Sequence, residues 1–147
     1  MKKHFRTILR VEQHLQNKYG VLSENTSLDE NYLDWDISIT ASTKNDRVST
    51  YSVKHNNTYQ NDKVCIEYRK MVDDQFVLSG IGISTSDYLI LTFNNDRRLY
   101  MIRRSKVLEY VFDIRNTYVP KYICMDRDRC QLAIFDRPSL LRMCTII

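Results

Sequence analysis

The run Tyr88-Leu89-Ile90-Leu91-Thr92-Phe93, followed at once by Asn94-Asn95-Asp96, constrains the fold more than any other feature of this chain. A short, nearly continuous apolar segment stopped by turn-forming residues has the length of a strand and the composition of one placed centrally in a sheet. Such a strand needs neighbours, and the surrounding sequence supplies them. Asp36-Ile37-Ser38-Ile39-Thr40 alternates, with the isoleucines on one face and Asp36, Ser38 and Thr40 on the other. Arg47 to Lys54 resumes the alternation after a turn at Lys44-Asn45-Asp46, with Tyr51 and Val53 opposite Ser52 and Lys54, so the two segments form a predicted hairpin. Val64-Cys65-Ile66-Glu67-Tyr68 places Val64, Ile66 and Tyr68 on one face and Cys65 and Glu67 on the other. Further strands are expected at Leu99–Ile102, near Tyr122–Met125 and over Cys130–Phe135.

Helical signals bracket these strands. Phe5, Ile8, Leu15 and Tyr19 keep a helical period that Gly20 stops, and Glu12 completes that stripe. A carboxylate on a packing face needs a salt-bridge partner, a metal or an edge position. Ser105 is positioned to cap a helix carrying Val107, Leu108 and Val111, Ser139–Met143 is expected to form a helical turn, and Ser23–Leu33 reads as a loop. The order describes an α/β (α+β) domain, a mixed β-sheet flanked by helices. At 147 residues a single domain is expected, and three glycines and two prolines leave little material for linkers.

Charge and cysteine usage narrow the function classes. The formal charge of +4 suits a nucleic-acid partner, and the basic residues are clustered. Arg97, Arg98, Arg103, Arg104 and Lys106 crowd one stretch, and Arg127, Arg129, Arg137 and Arg142 gather near the carboxyl end. The basic amino terminus is not followed by an apolar run, so neither a signal peptide nor a membrane span is expected and a cytoplasmic location is. Cys65, Cys124, Cys130 and Cys144 lack C-x-x-C spacing and are expected to be free thiols. His4, His14 and His55 lack the spacing of a transition-metal site, and neither a P-loop nor a G-x-S-x-G elbow is present.

One constellation carries chemistry. The order helix Glu12, strand Asp36, hairpin Ser52-Val53-Lys54 resembles the PD-(D/E)XK nucleases, with the closest likeness to the archaeal Holliday-junction-resolvase-like branch and related phage endonucleases. The resemblance continues through Val64-Cys65-Ile66-Glu67-Tyr68, Ser79-Gly80-Ile81, Ser84 and Ser86-Asp87-Tyr88, and covers about residues 9–93. It implies a restriction-endonuclease-like core, which residues 94–147 would complete, and hydrolysis of DNA phosphodiesters with Mg2+ or Mn2+. Asp36 would be the central metal ligand, Lys54 would orient the attacking water or stabilise developing charge, and Glu12 would assist. DNA phosphates would meet Arg97, Arg98, Arg103 and Arg104 with Ser79, and a homodimer is expected by analogy with junction resolvases.

The chain departs from that pattern at one position. The acid expected two residues before the lysine is Ser52, which supplies no negative charge. Three readings stay open: Glu67 on the next strand replaces the missing ligand, the protein binds DNA or a protein partner without cutting, or the serine is an introduced change.

Overall fold

A computed structural model describes residues 2–19, 23–25, 37–42, 48–56, 62–94, 96–113, 121–124 and 129–147. Helix α1 (Lys2–Tyr19) precedes three strands, β1 (Ser23–Asn25), β2 (Ile37–Ser42) and β3 (Val48–Asn56). Strands β4 (Lys63–Val72) and β5 (Gln75–Leu78) lead through a 3-10 turn (Gly80–Gly82) to β6 (Tyr88–Phe93) and β7 (Tyr100–Arg103). Helix α2 (Arg104–Phe112), β8 (Lys121–Cys124), β9 (Cys130–Asp136), α3 (Arg137–Arg142) and β10 (Thr145–Ile146) complete the order.

The strands divide into a six-stranded sheet, β1-β2-β3-β6-β7-β10, and a four-stranded sheet, β5-β4-β9-β8. The fold is therefore mixed α+β, as its pattern of elements predicts. Strands β2 and β3 form the expected antiparallel hairpin, with Ile37 opposite Val53 and Ser38 opposite Ser52. Strand β3 also pairs in parallel with β6, Ser52 opposite Leu89 and Lys54 opposite Leu91. The connection between these parallel strands carries the β4–β5 hairpin of the second sheet. At its tip Asp73 and Asp74 both take positive φ, 49° and 63°, the conformation that a two-residue hairpin turn requires.

Strand β6 is apolar throughout because both of its faces are covered. Leu89, Leu91 and Phe93 join Val64, Ile66 and Tyr68 of β4, Ala133 and Phe135 of β9, Val107 and Val111 of α2, and Leu140 of α3 in one core. Ile90 points the other way, into a second core with Tyr51 and Val53 of β3 and Val11 and Leu15 of α1. The large sheet thus lies between α1 on one side and α2, α3 and the small sheet on the other.

Several elements differ from their sequence-based expectations. Residues 23–25 form an edge strand rather than loop, since the backbone of β2 offers them a partner that their polar side chains do not advertise. Ser105 lies inside α2, which Arg103 precedes as N-cap with no side-chain capping bond. Helix α3 starts earlier than expected because Asp136 caps it, its carboxylate accepting from the Ser139 backbone N–H at 3.2 Å. Strand β5 was not marked by any alternation, and its residues are largely exposed. The turn at Lys44-Asn45-Asp46 lies outside the described residues.

Candidate functional site

Alternation along β3 sends Tyr51 and Val53 toward α1, so Ser52 and Lys54 emerge on the opposite face of the sheet. Ser52 is only 1% exposed. Its hydroxyl lies 2.7 Å from that of Ser86 and 3.4 Å from that of Ser84, and both of those serines are buried. Ser84 also accepts from the Ser86 backbone N–H at 3.2 Å. The position where the resemblance expects an acid therefore holds a neutral hydroxyl within a buried group of three serines. Two of the motif positions farther along the chain, Ser84 and Ser86, are its partners.

Lys54 is half-buried, and its charge acts on the Cys65 thiol of β4. Burial pushes that thiol up, and Lys54 opposes the shift. Cys65 and Glu67 share a face of β4 and are separated by about 7 Å of strand. Glu67 accepts a hydrogen bond of 2.8 Å from the Ser79 hydroxyl, which joins two more motif positions. The turn that presents Ser79 requires glycine twice: Gly80 has φ of 50°, and a Cβ on Gly82 would collide with the Tyr68 carbonyl oxygen. Ser79, expected as a DNA contact, is itself buried.

The remaining acids are placed differently. Asp36 immediately precedes β2 in the sequence and lies outside the described residues. Glu12 sits on α1, beside Val11, which is the residue that fills the buried stripe with Leu15. Glu12 is consequently half-buried at the border of that stripe, on the layer across the sheet from Lys54, and burial raises its carboxyl above the usual range. Asp87 anchors β6 to β3: its carboxylate accepts from the Thr50 N–H at 3.0 Å and the Thr50 hydroxyl at 3.3 Å. Among the described residues no three His, Cys, Asp or Glu side chains gather in a group able to hold a metal ion.

The arginine cluster is divided by β7. Arg97 and Arg98 precede the strand, and Arg103 and Arg104 stand at its far end, beyond roughly 13 Å of extended chain. Arg98 donates to Asp96 at 3.1 Å, and Asp96 also accepts from the Tyr100 hydroxyl at 2.7 Å. Burial alone would raise the Asp96 carboxyl, but the bonds from Tyr100 and Arg98 outweigh it and hold the group at about 2. Arg137 lies 4.0 Å from the same carboxylate, with its guanidinium 4.0 Å from the centre of the Phe93 ring. Arg104 donates its Nε to the Ser86 carbonyl at 2.7 Å, while Arg103 lies 5.9 Å over the Tyr88 ring.

A cleft of about 480 Å³ opens beside these last residues, lined by Ser49, Ser86, Asp87, Tyr88, Arg103, Arg104 and Ser105. Ser86 connects it to the Ser52 group. Sequence reasoning missed Ser49, Tyr88 and Ser105 as cleft residues. Only the parallel pairing of β3 with β6 brings Ser49 to them, and no local pattern announces that pairing.

Comparison of this chain with protein-family models, with curated proteins and with solved structures returns no match.

Proposed function

We propose that this chain is a nuclease-type protein that acts on DNA, hydrolysing phosphodiester bonds with a divalent metal. Convergence is the observation that supports this reading. Ser52, Ser84 and Ser86 meet through hydroxyl contacts, Glu67 meets Ser79, and Lys54 acts on the face of β4 that carries Glu67. These residues come from sequence segments far apart, and they are the ones through which the chain resembles PD-(D/E)XK nucleases.

Magnesium is commonly held by one or two carboxylates with waters and a substrate phosphate. Of the proposed ligands, the described residues include Glu67, bonded to Ser79, and Glu12, on the layer across the sheet from Lys54, so they do not by themselves compose a magnesium site. The proposal keeps Asp36, which directly precedes β2 in the sequence, as the central ligand and Glu67 as the replacement for the missing acid. A bound divalent ion would neutralise charge on the phosphate and lower the pKa of a bound water. Lys54 would hold the attacking water or the developing negative charge, and Ser79 would fix the Glu67 carboxylate.

A second reading, a DNA-binding protein of the same architecture that does not cut, is favoured by one observation. Ser52 is buried and in contact with two hydroxyls, which on this reading gives the position a packing role instead of a metal-binding one.

Incubating supercoiled, single-stranded and four-way-junction DNA with Mg2+ or Mn2+, against a chelator, separates the readings. The nuclease reading expects metal-dependent products that vanish with Lys54→Ala and fall sharply with Asp36→Asn or Glu67→Gln. Salt-sensitive binding without products from any substrate would establish the second reading instead. The homodimer implied by the resemblance belongs to the proposal and is tested by sedimentation equilibrium.

A further inference from the structure

The four clustered arginines are not equivalent. Arg98 and Arg103 are both exposed and each lies over a ring, Arg98 5.7 Å from the centre of Tyr100 and Arg103 5.9 Å from that of Tyr88, but Arg98 is neutralised by Asp96, whereas among the described residues Arg103 has no carboxylate in ion-pair contact. A guanidinium not paired with a carboxylate keeps its N–H donors available, in the planar fork that matches phosphate oxygens. Beneath it Tyr88 stacks on Tyr51, ring centres 5.4 Å apart and planes 20° from parallel. Tyr51 is buried and anchored in the core under α1, so the stack is rooted in the fold. Tyr51 and Tyr88 therefore form a stacked pair with the Arg103 cation near its outer ring.

Two concavities meet at this platform. The cleft of about 480 Å³ already described lies on one side, and a second of about 420 Å³ lies on the other, lined by Tyr88, Met101, Ile102, Arg103, Lys106, Met143 and Thr145. Tyr88 and Arg103 line both. The two concavities adjoin at these residues and are taken together as one trough, with Arg104 and the hydroxyls of Ser49 and Ser105 in one part and Lys106 and Thr145 in the other. Among the described residues of the lining the one carboxylate, Asp87, has an oxygen bonded to Thr50 of β3. Cations and hydroxyls along a trough with a planar stacking surface at its middle suit a single nucleic-acid strand, whose phosphates meet the cations and whose bases stack on planar groups.

We propose that this trough is the binding groove for a single DNA strand, with Arg103 at its centre and Lys106 at its far end as phosphate receptors, and the Tyr88 ring, backed by Tyr51, as the surface for a base. The proposal rests on the DNA reading above but not on cleavage. It assigns the strand path to one end of β7 and removes Arg98 from the interface.

Fluorescence anisotropy of a labelled single-stranded oligodeoxynucleotide, titrated with the full chain over a series of salt concentrations, tests it. Neutralising each phosphate releases counterions, so the magnitude of the slope of log affinity against log salt should fall by about 0.7 for Arg103→Gln and about 1.4 for Arg103→Gln with Lys106→Gln. Arg103→Lys should restore the slope but not the full affinity, because lysine keeps the charge and loses the planar fork. Ser105→Glu, an exposed substitution in the first turn of α2, where a negative charge favours the helix, should weaken binding without unfolding the protein. Unchanged slopes in the Arg103 and Lys106 variants would overturn the groove, as would the lack of any binding by the wild type or a preference for duplex over single strand. Groove-dependent binding without cutting would sink only the nuclease reading, and cutting with unaltered binding in these variants would sink only the groove.

Discussion

At the scale of single residues, the buried hydroxyls of Ser52, Ser84 and Ser86 depend on one another. Removing one takes a hydrogen bond from its buried partners. Ser52→Ala is expected to lower stability by about 1–3 kcal/mol, seen as a reduced urea midpoint at unchanged slope. Asp96 makes a prediction about pH. Its folded carboxyl titrates at about 2, below its usual 3.8, so it favours the folded state above about pH 4 and that contribution is lost as the pH falls toward 2. Asp96→Asn should therefore unfold at a lower temperature than the wild type at neutral pH, with the gap closing between pH 4 and pH 2; a constant gap would show that the charge is not the stabilising feature. Glu12 has the opposite sign, since burial raises its carboxyl and disfavours the charged form. Glu12→Gln should leave neutral-pH stability equal or slightly higher. If cutting also persists in that variant, Glu12 has no part in catalysis.

At the scale of elements, the 3-10 turn and β6 carry the strictest requirements. Gly82 packs against the backbone of Tyr68, which cannot move aside without disturbing β4. Gly82→Ala is expected to lower the melting temperature measurably and to loosen the Ser79–Glu67 contact, so a nuclease should lose activity with it while strand binding in the groove persists. Leu91 on β6 has core on its side chain and hydrogen-bonded strands on both edges. Leu91→Ala should lower stability by about 2–5 kcal/mol in chemical unfolding, as large-to-small changes in a packed core do. The identity of β6 was legible because a strand covered on both faces must be apolar at nearly every position. The alternation of β3 and β4 was legible because each has one face more deeply packed, although the burial of Ser52 was not, since serine is equally common on surfaces. Strands β1 and β5 were invisible because edge strands are held mainly by backbone bonds, which leave little trace in side-chain pattern.

At the scale of the whole molecule, the carboxyl-terminal segment is structural. Strand β9 pairs with β4 and β10 with β7, Leu140 fills the core, and Arg137 joins Asp96 and Phe93. Deleting residues 137–147 should broaden or abolish the cooperative melt followed by circular dichroism, since burial of Leu140 alone is worth about 2–5 kcal/mol. A sharp melt at the wild-type temperature would show that this segment is dispensable. The sequence by itself determined the mixed α+β class, the β2–β3 hairpin, the central strand and the facing of Lys54 and Glu67, because periodicity records which side of an element is packed. Tertiary structure alone decided that Ser52 would be sealed among serines, that Glu12 would lie across the sheet from Lys54, and that the arginines would part to opposite ends of β7 with only Arg103 and Arg104 beside the cleft. Those outcomes depend on which strands pair and which layers stack, and contacts between residues distant in the chain leave no periodic mark within it.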